Sequence, residues 1–185
     1  MTPDGAWVVY ASGHPEKRGL WKVRPDGREA TQLVAGPFTL PEVSPDGRYV
    51  TGILGSGRGR RIVVFRVEDG ERVPFGVDID VDTQFGDENI GRHRWMPGGG
   101  SIAFFSGDAE GIAGIFAQDF VPGQDTSATR RRLAAFFRDA RTESFGIVPD
   151  GSALVVSGVE ARSDILLARG LPGVMPPPRT AAREE

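Results

Sequence analysis

Four stretches of the chain repeat one pattern of polar and apolar positions. Residues 2–12 read TPDGAWVVYAS, residues 44–54 SPDGRYVTGIL, residues 96–106 MPGGGSIAFFS and residues 148–158 VPDGSALVVSG. Each opens on a turn. Pro presets φ, Asp bonds to nearby backbone N–H groups and Gly accepts positive φ, so Pro-Asp-Gly predicts a tight reversal between two strands. An apolar strand follows: Val8, Val50, Ile102 and Leu154 lie three positions past the turn glycine, and Tyr10, Gly52, Phe104 and Val156 two positions further on. That is the two-residue period of one face of a strand, with Gly52 as its weak member.

A second apolar run follows in every repeat: Leu20-Trp21-Lys22-Val23, Ile62-Val63-Val64-Phe65, Ile115-Phe116-Ala117 and Ile165-Leu166-Leu167. Three repeats add a further turn, at Pro25-Asp26-Gly27, Glu68-Asp69-Gly70 and Pro122-Gly123, leading to a fourth strand such as residues 30–34. Short runs at 41–43, 93–95 and 145–147 supply a first strand ahead of the later turns. Each repeat therefore reads as a four-stranded antiparallel meander. The prolines at Pro3, Pro45, Pro97 and Pro149 are 42, 52 and 52 residues apart, close to the propeller-blade period of about 40–45 residues with loop insertions.

The fold class expected is all-β, a β-propeller of about four antiparallel blades at residues 1–37, 38–80, 90–137 and 142–171, with a Pro-rich disordered tail at 172–185. Blade one has no inner strand and blade four no obvious outer strand, so the four blades are expected to belong to a six- or seven-bladed ring. The open side of blade one, placed at Trp7, Val9 and Trp21, and the unfinished blade four predict self-association through open blade edges.

Composition narrows the functional classes. The 26 Gly and 14 Pro suit a turn-rich chain, and 22 Lys plus Arg against 25 Asp plus Glu give a net charge of -3, which argues against a nucleic-acid partner. Only Lys17 and Lys22 are lysines, which reads as a compositional habit of the genome. With no Cys there is no disulfide framework and no thiolate chemistry. No apolar run is long enough to enter a membrane as a spanning helix.

A strand, then Ser-Pro-Asp-Gly, then an apolar strand, then a strand opening on Leu-Trp or Ile-Val and closing on Asp-Gly, resembles the TolB-like propeller repeat. The resemblance covers residues 2–171, and residues 148–167 are similar to the last blade of propellers attached to bacterial Ser/Thr protein kinases. It implies a non-catalytic interaction scaffold that binds a protein or peptide, or a regulatory or sensor segment of a larger bacterial enzyme, a Ser/Thr kinase or a peptidase with a gating propeller. In an exported or membrane-anchored protein such a segment would lie in the periplasm or outside the cell.

Candidate chemistry is sparse, and the expectation is a chain that is not an enzyme and needs no metal or cofactor. The alternation Val77-Asp78-Ile79-Asp80-Val81-Asp82 offers the carboxylates of a calcium loop, but Thr83 stands where Gly is needed and Asn89 where the bidentate Glu belongs. Residues 55–60, GSGRGR, lack the Gly-Lys-Ser/Thr ending of a phosphate loop. His14 and His93 are the only imidazoles, and no nucleophile elbow or kinase signature accompanies them. The cluster Arg130-Arg131-Arg132 reads as a solvated outer strand. In the first strands the column Val43, Trp95 and Ile147 is apolar and reads as interblade core, with Trp95 and Ile147 buried and His14 and Arg58 in exposed loops. Beside that column stand Glu42 and Arg94. By analogy with propellers, which place ligands at the mouth of the central channel, Glu42, His93 and Arg94 are the candidate ligand-binding residues.

Overall fold

The computed structural model describes residues 1–55, 60–78, 92–107, 113–135 and 141–159. These form thirteen strands in four antiparallel sheets. The first sheet holds β1 (Val8–Ser12), β2 (Gly19–Val23) and β3 (Thr31–Ala35). The second holds β4 (Phe38–Val43), β5 (Tyr49–Leu54), β6 (Arg61–Arg66) and β7 (Arg72–Asp78). The third holds β8 (His93–Trp95), β9 (Ser101–Gly107), β10 (Ala113–Asp119) and β11 (Arg131–Ala135). The fourth pairs β12 (Arg141–Ile147) with β13 (Leu154–Val159). Two short 3-10 turns, Pro15–Lys17 and Ser127–Thr129, are the helical pieces among the described residues. The run at 165–167, the carboxylates at Asp80 and Asp82, Arg58 and the tail at 172–185 lie outside the described residues.

Sheets become blades because each strand presents one set of alternate residues backward along the row and the other set forward. In β5, Val50 and Leu54 join Phe38, Val63 and Phe65 against Leu20, Val9 and Ala11 of the first sheet. Ile53 points the other way, with Ile62, Val64, Val73, Phe75 and Val77, onto Trp95, Ile102, Phe104, Phe116 and Phe120 of the third sheet. Ala103 and Ile115 of the third sheet close on Phe145 of the fourth, with Ile147 and Leu154 packed around them. Every hydrophobic cluster thus spans two consecutive sheets. With each buried apolar side chain contributing about 1.5–3 kcal/mol, the stability of a blade resides largely in its neighbours.

The repeated turns stack on one another. At the second, the Ser44 hydroxyl donates to Asp46 Oδ1 at 2.6 Å and accepts from the Tyr49 N–H at 2.9 Å, while Gly47 N–H donates to the Ser44 carbonyl at 2.8 Å. Thr2, Asp4 and Trp7 repeat this set ahead of β1. Gly47 sits at φ +74°, and a Cβ there would lie 3.0 Å from Cδ of Pro3, one blade earlier. A Cβ on Gly99 would likewise face Pro45 at 3.7 Å, and one on Gly151 would face Pro97 at 3.8 Å. Glycine is required at these turns by its positive φ, and at Gly47 the proline of the preceding blade leaves little room for a side chain as well.

Gly52, the weak member of the apolar column, is also explained by space. A Cβ on it would lie 2.2 Å from the Phe38 ring, so the aromatic ring of β4 fills the place of the missing side chain.

Two expectations are corrected. Ile147 is half-buried rather than buried: it lies at the margin of the cluster of Ala103, Ile115 and Phe145 instead of inside it. Val43 is half-buried and packs on the cluster between blades one and two, as the apolar column predicts. Val9 and Trp7 face blade two: Val9 packs in the cluster of Phe38 and Val50, and Trp7 borders the same cleft as Tyr49. The open side of blade one is the alternate set, Val8, Tyr10, Trp21 and Val23, as the pairing of Val8 with Val23 and Tyr10 with Trp21 requires. A one-residue misreading of a strand exchanges its faces.

Candidate functional site

Glu42, His93 and Arg94 come together at the junction of blades two and three. β4 carries an irregularity between Thr39 and Glu42, where Leu40 adopts φ +52° ahead of Pro41. A bulge of this kind re-aims the residue that follows it, and Glu42 points at β8. Its Oε2 accepts from Arg94 Nη1 at 3.0 Å and its Oε1 from the Trp95 backbone N–H at 3.2 Å. Its backbone carbonyl accepts from Trp95 Nε1 and from the Thr51 hydroxyl, both at 3.1 Å. His93 is almost fully buried, with Nε2 2.9 Å from Thr51 Oγ1. The single hydroxyl proton of Thr51 goes to a carbonyl that can only accept, so the imidazole donates at Nε2.

This arrangement holds two blades together, and its polar atoms are occupied in doing so. Burial raises the Glu42 pKa above the ordinary value of 4.5; the Arg94 charge and hydrogen bond and the Trp95 N–H pull the other way and leave it raised. His14 is remote in role and place, an exposed residue whose Nδ1 accepts from the Glu16 N–H at the start of a 3-10 turn. Among the described residues no group of three or more His, Asp or Glu is placed to hold a metal ion, and no helix is long and apolar enough to cross a membrane.

Two features were hidden in the sequence, one between blades one and two and one within blade three. Lys22, on the strand face of Leu20, donates from Nζ to the carbonyls of Val67 at 2.9 Å and Glu68 at 2.6 Å in blade two, and stands 4.7 Å from the centre of the Trp7 ring. Its alternation in phase with Leu20 was the available signal. Arg130 does not join a solvated strand: its guanidinium lies over Phe116 and Phe104, at 4.8 and 5.3 Å, and donates to Ser106 Oγ at 2.6 Å. Arg131, beside it, is an exposed partner of Asp119 at 2.7 Å.

The concave surfaces lie between blades. A cleft of about 570 Å³ opens between Thr2 and Trp7 of blade one and Arg48, Tyr49, Arg66 and Glu68 of blade two. Another, of about 470 Å³, runs between Arg72 and Phe75 of blade two and Gln118, Gln124 and Ser127 of blade three. Both mix aromatic, cationic and carboxylate groups, the second adding the amides of Gln118 and Gln124, without an array of acid, base and nucleophile.

The repeated turns carry titrating groups. The Thr2 hydroxyl and the Ala6 N–H hold the Asp4 carboxyl below the ordinary 3.8. For Asp46, burial pushes upward and is outweighed by the Ser44 hydroxyl and by Arg48, so its pKa is also lowered. Asp150 is lowered by the side chain and N–H of Ser152. A depressed folded pKa stabilises the fold fully above the unfolded value and ceases to do so as pH falls through the folded value. Stability is therefore expected to drop below about pH 3.8, whereas Glu42, with its raised pKa, contributes in the opposite sense, fully below 4.5 and less as pH rises through its folded value. Urea midpoints between about pH 5 and about pH 2 check this; Asp46→Asn should flatten the acid limb, and an unchanged limb would contradict the role given to the turn.

No family model matches the chain, and no curated protein matches its sequence. Solved structures do match. TolB from Acinetobacter baumannii superposes with a TM-score of 0.62 at 18% identity, over 88% of this chain and 37% of that one. A putative TolB from Agrobacterium tumefaciens gives 0.55 at 19% identity, over 86% and 57%. A structure from a study of two prolyl endopeptidases and their inter-domain dynamics gives 0.55 at 15% identity, over 83% of this chain and 24% of that one. The chain spans less than two thirds of each. At these identities the likeness shows the fold, the blade arrangement of a TolB-like β-propeller.

Proposed function

We propose that the chain is a non-catalytic interaction module that binds a protein or peptide in the clefts between neighbouring blades. One observation carries this reading: the acid, imidazole and guanidinium at the centre, Glu42, His93 and Arg94, are engaged in bonds between blades, while the clefts present aromatic and cationic groups at the surface. Propeller loops on a rigid radial scaffold suit recognition. Peptides selected from a random library against the purified chain should lose affinity about tenfold or more on Trp7→Ala or Arg48→Ala, consistent with truncation of aromatic and Arg contacts, and keep it on Glu42→Gln. Binding abolished by Glu42→Gln and untouched by the cleft substitutions would overturn the proposal, as would turnover of a hydrolase substrate that Glu42→Gln removes.

A second reading, a regulatory or gating segment of a larger bacterial enzyme, draws on the likeness to a minor part of a prolyl endopeptidase chain. It predicts that the same clefts contact a catalytic domain instead of a free peptide.

A further inference from the structure

The junction of blades two and three carries an acceptor and a cation that the fold itself does not use. Gln118, near the end of β10, is 3% exposed and lines the cleft of about 470 Å³. Its neighbour fixes the orientation of its amide: the Thr126 hydroxyl gives its proton to the Asp119 carbonyl, so Gln118 must donate to that hydroxyl, from Nε2 at 3.2 Å. Oε1 is left without a donor among the described residues. Buried acceptors are ordinarily paired, and an unused one on the wall of a cavity suits a donor from outside. Arg72, on the edge strand β7, is exposed and has no acidic partner among the described residues. The carboxylates sharing these surfaces are taken: Glu71 pairs with Arg66, and Asp125 accepts the Ser127 N–H at 2.9 Å. Arg72 also lines a second hollow of about 270 Å³, bordered by Tyr49, Val73, Pro74 and Pro122, and Pro74 is common to both. The two hollows adjoin as one groove with an apolar recess, a cation and then an acceptor along it. Its blade-three wall is fastened in place, since Thr129 Oγ1 accepts from the Asp119 N–H at 2.9 Å and donates to the Thr126 carbonyl at 2.7 Å. A wall fixed in advance lowers the cost of ordering on binding.

We propose that this groove takes an extended peptide segment bearing an apolar side chain and a nearby Asp or Glu, an inference that rests on the interblade reading above. The apolar side chain enters the recess at Tyr49 and Val73, the carboxylate meets Arg72, and a main-chain N–H donates to Gln118 Oε1. A linear chain suits the succession of sites. A lone anion would satisfy Arg72 alone, and a sugar ring would find no open aromatic face beside Gln118, because Phe75 there is 7% exposed.

Two pools of short random peptides, each with one Phe, test this when one pool carries an Asp and the other an Asn at every spacing from the Phe. On the immobilised full chain the Asp pool should be enriched over the Asn pool. Its best binders should weaken about fivefold on Arg72→Met, the size of an exposed ion pair, and about tenfold on Gln118→Leu, which leaves a main-chain N–H without its acceptor. Arg72→Glu should reverse the preference, favouring the same peptides with Lys in place of Asp. Arg72 is exposed, so both of its variants should melt as the parent does, and they decide the matter should Gln118→Leu lose its fold. Trp7→Ala, in the first cleft, should leave these peptides unaffected. Equal enrichment of the two pools overturns the inference. Binders that ignore the Arg72 and Gln118 variants and weaken on Trp7→Ala also overturn it, and leave the interblade reading standing. Binding indifferent to all of these substitutions, or no binder from these pools or from a fully random library, overturns both.

Discussion

Trp95→Ala is expected to cost about 3–5 kcal/mol, the range for removing a large aromatic side chain from a packed core. The residue is buried in the cluster that joins blades two and three, its ring lies edge-on to Phe120 with centroids 5.1 Å apart, and its Nε1 donates to the Glu42 carbonyl at 3.1 Å. Truncation therefore removes apolar contact and one interblade hydrogen bond together. Urea unfolding should show the loss as a lower midpoint. Trp95→Phe restores a ring but not the donor and should recover more than half of it. A Trp95→Ala loss below about 0.5 kcal/mol, the size of an ordinary surface substitution, would mean that the blades do not depend on each other at this junction.

Lys22→Met should cost about 1.5–3 kcal/mol, the value of hydrogen bonds to a charged group. Methionine keeps the stem of the side chain against Trp7 and removes the ammonium, leaving the Val67 and Glu68 carbonyls of blade two without that donor. Lys22 is 8% exposed, so water replaces it poorly. Lys17, exposed on a 3-10 turn, provides the control: Lys17→Met should change stability by no more than about 0.5 kcal/mol. Equal effects of the two substitutions, by chemical denaturation, would remove Lys22 from the junction.

The blades were legible because their signals are local. Turn chemistry at Pro3, Pro45, Pro97 and Pro149 and the two-residue period after each turn depend on neighbours in sequence, and the same elements recur in the structure. What joins the blades was less legible. Glu42 and Arg94 lay in one column of the repeat, and the structure brings them to 3.0 Å, but their purpose depends on Thr51, His93 and Trp95, which reach them from two different blades. A polar residue beside an apolar column looks the same whether it faces a channel or a neighbouring strand. Lys22 shows the limit most plainly. As one of two lysines in an Arg-rich chain it passed for composition, whereas its place between Trp21 and Val23, in phase with Leu20, put it inside the first junction. The faces of blade one were misread by a single position, since Trp7, Val8 and Val9 are all apolar and the alternation there carries no phase of its own.

The account stands on the claim that Glu42 and Arg94 clamp blade two to blade three. A double-mutant cycle on folding stability measures this directly, using Glu42→Gln, Arg94→Met and the double variant. The pair is a quarter to a third exposed, so solvent screening trims the coupling to about 1–2 kcal/mol, within the range for residues in one hydrogen-bonded network. That coupling, with each single variant destabilised, is the predicted result. Single variants as stable as the parent and a coupling indistinguishable from zero would show two side chains that merely lie near each other, available to a ligand after all.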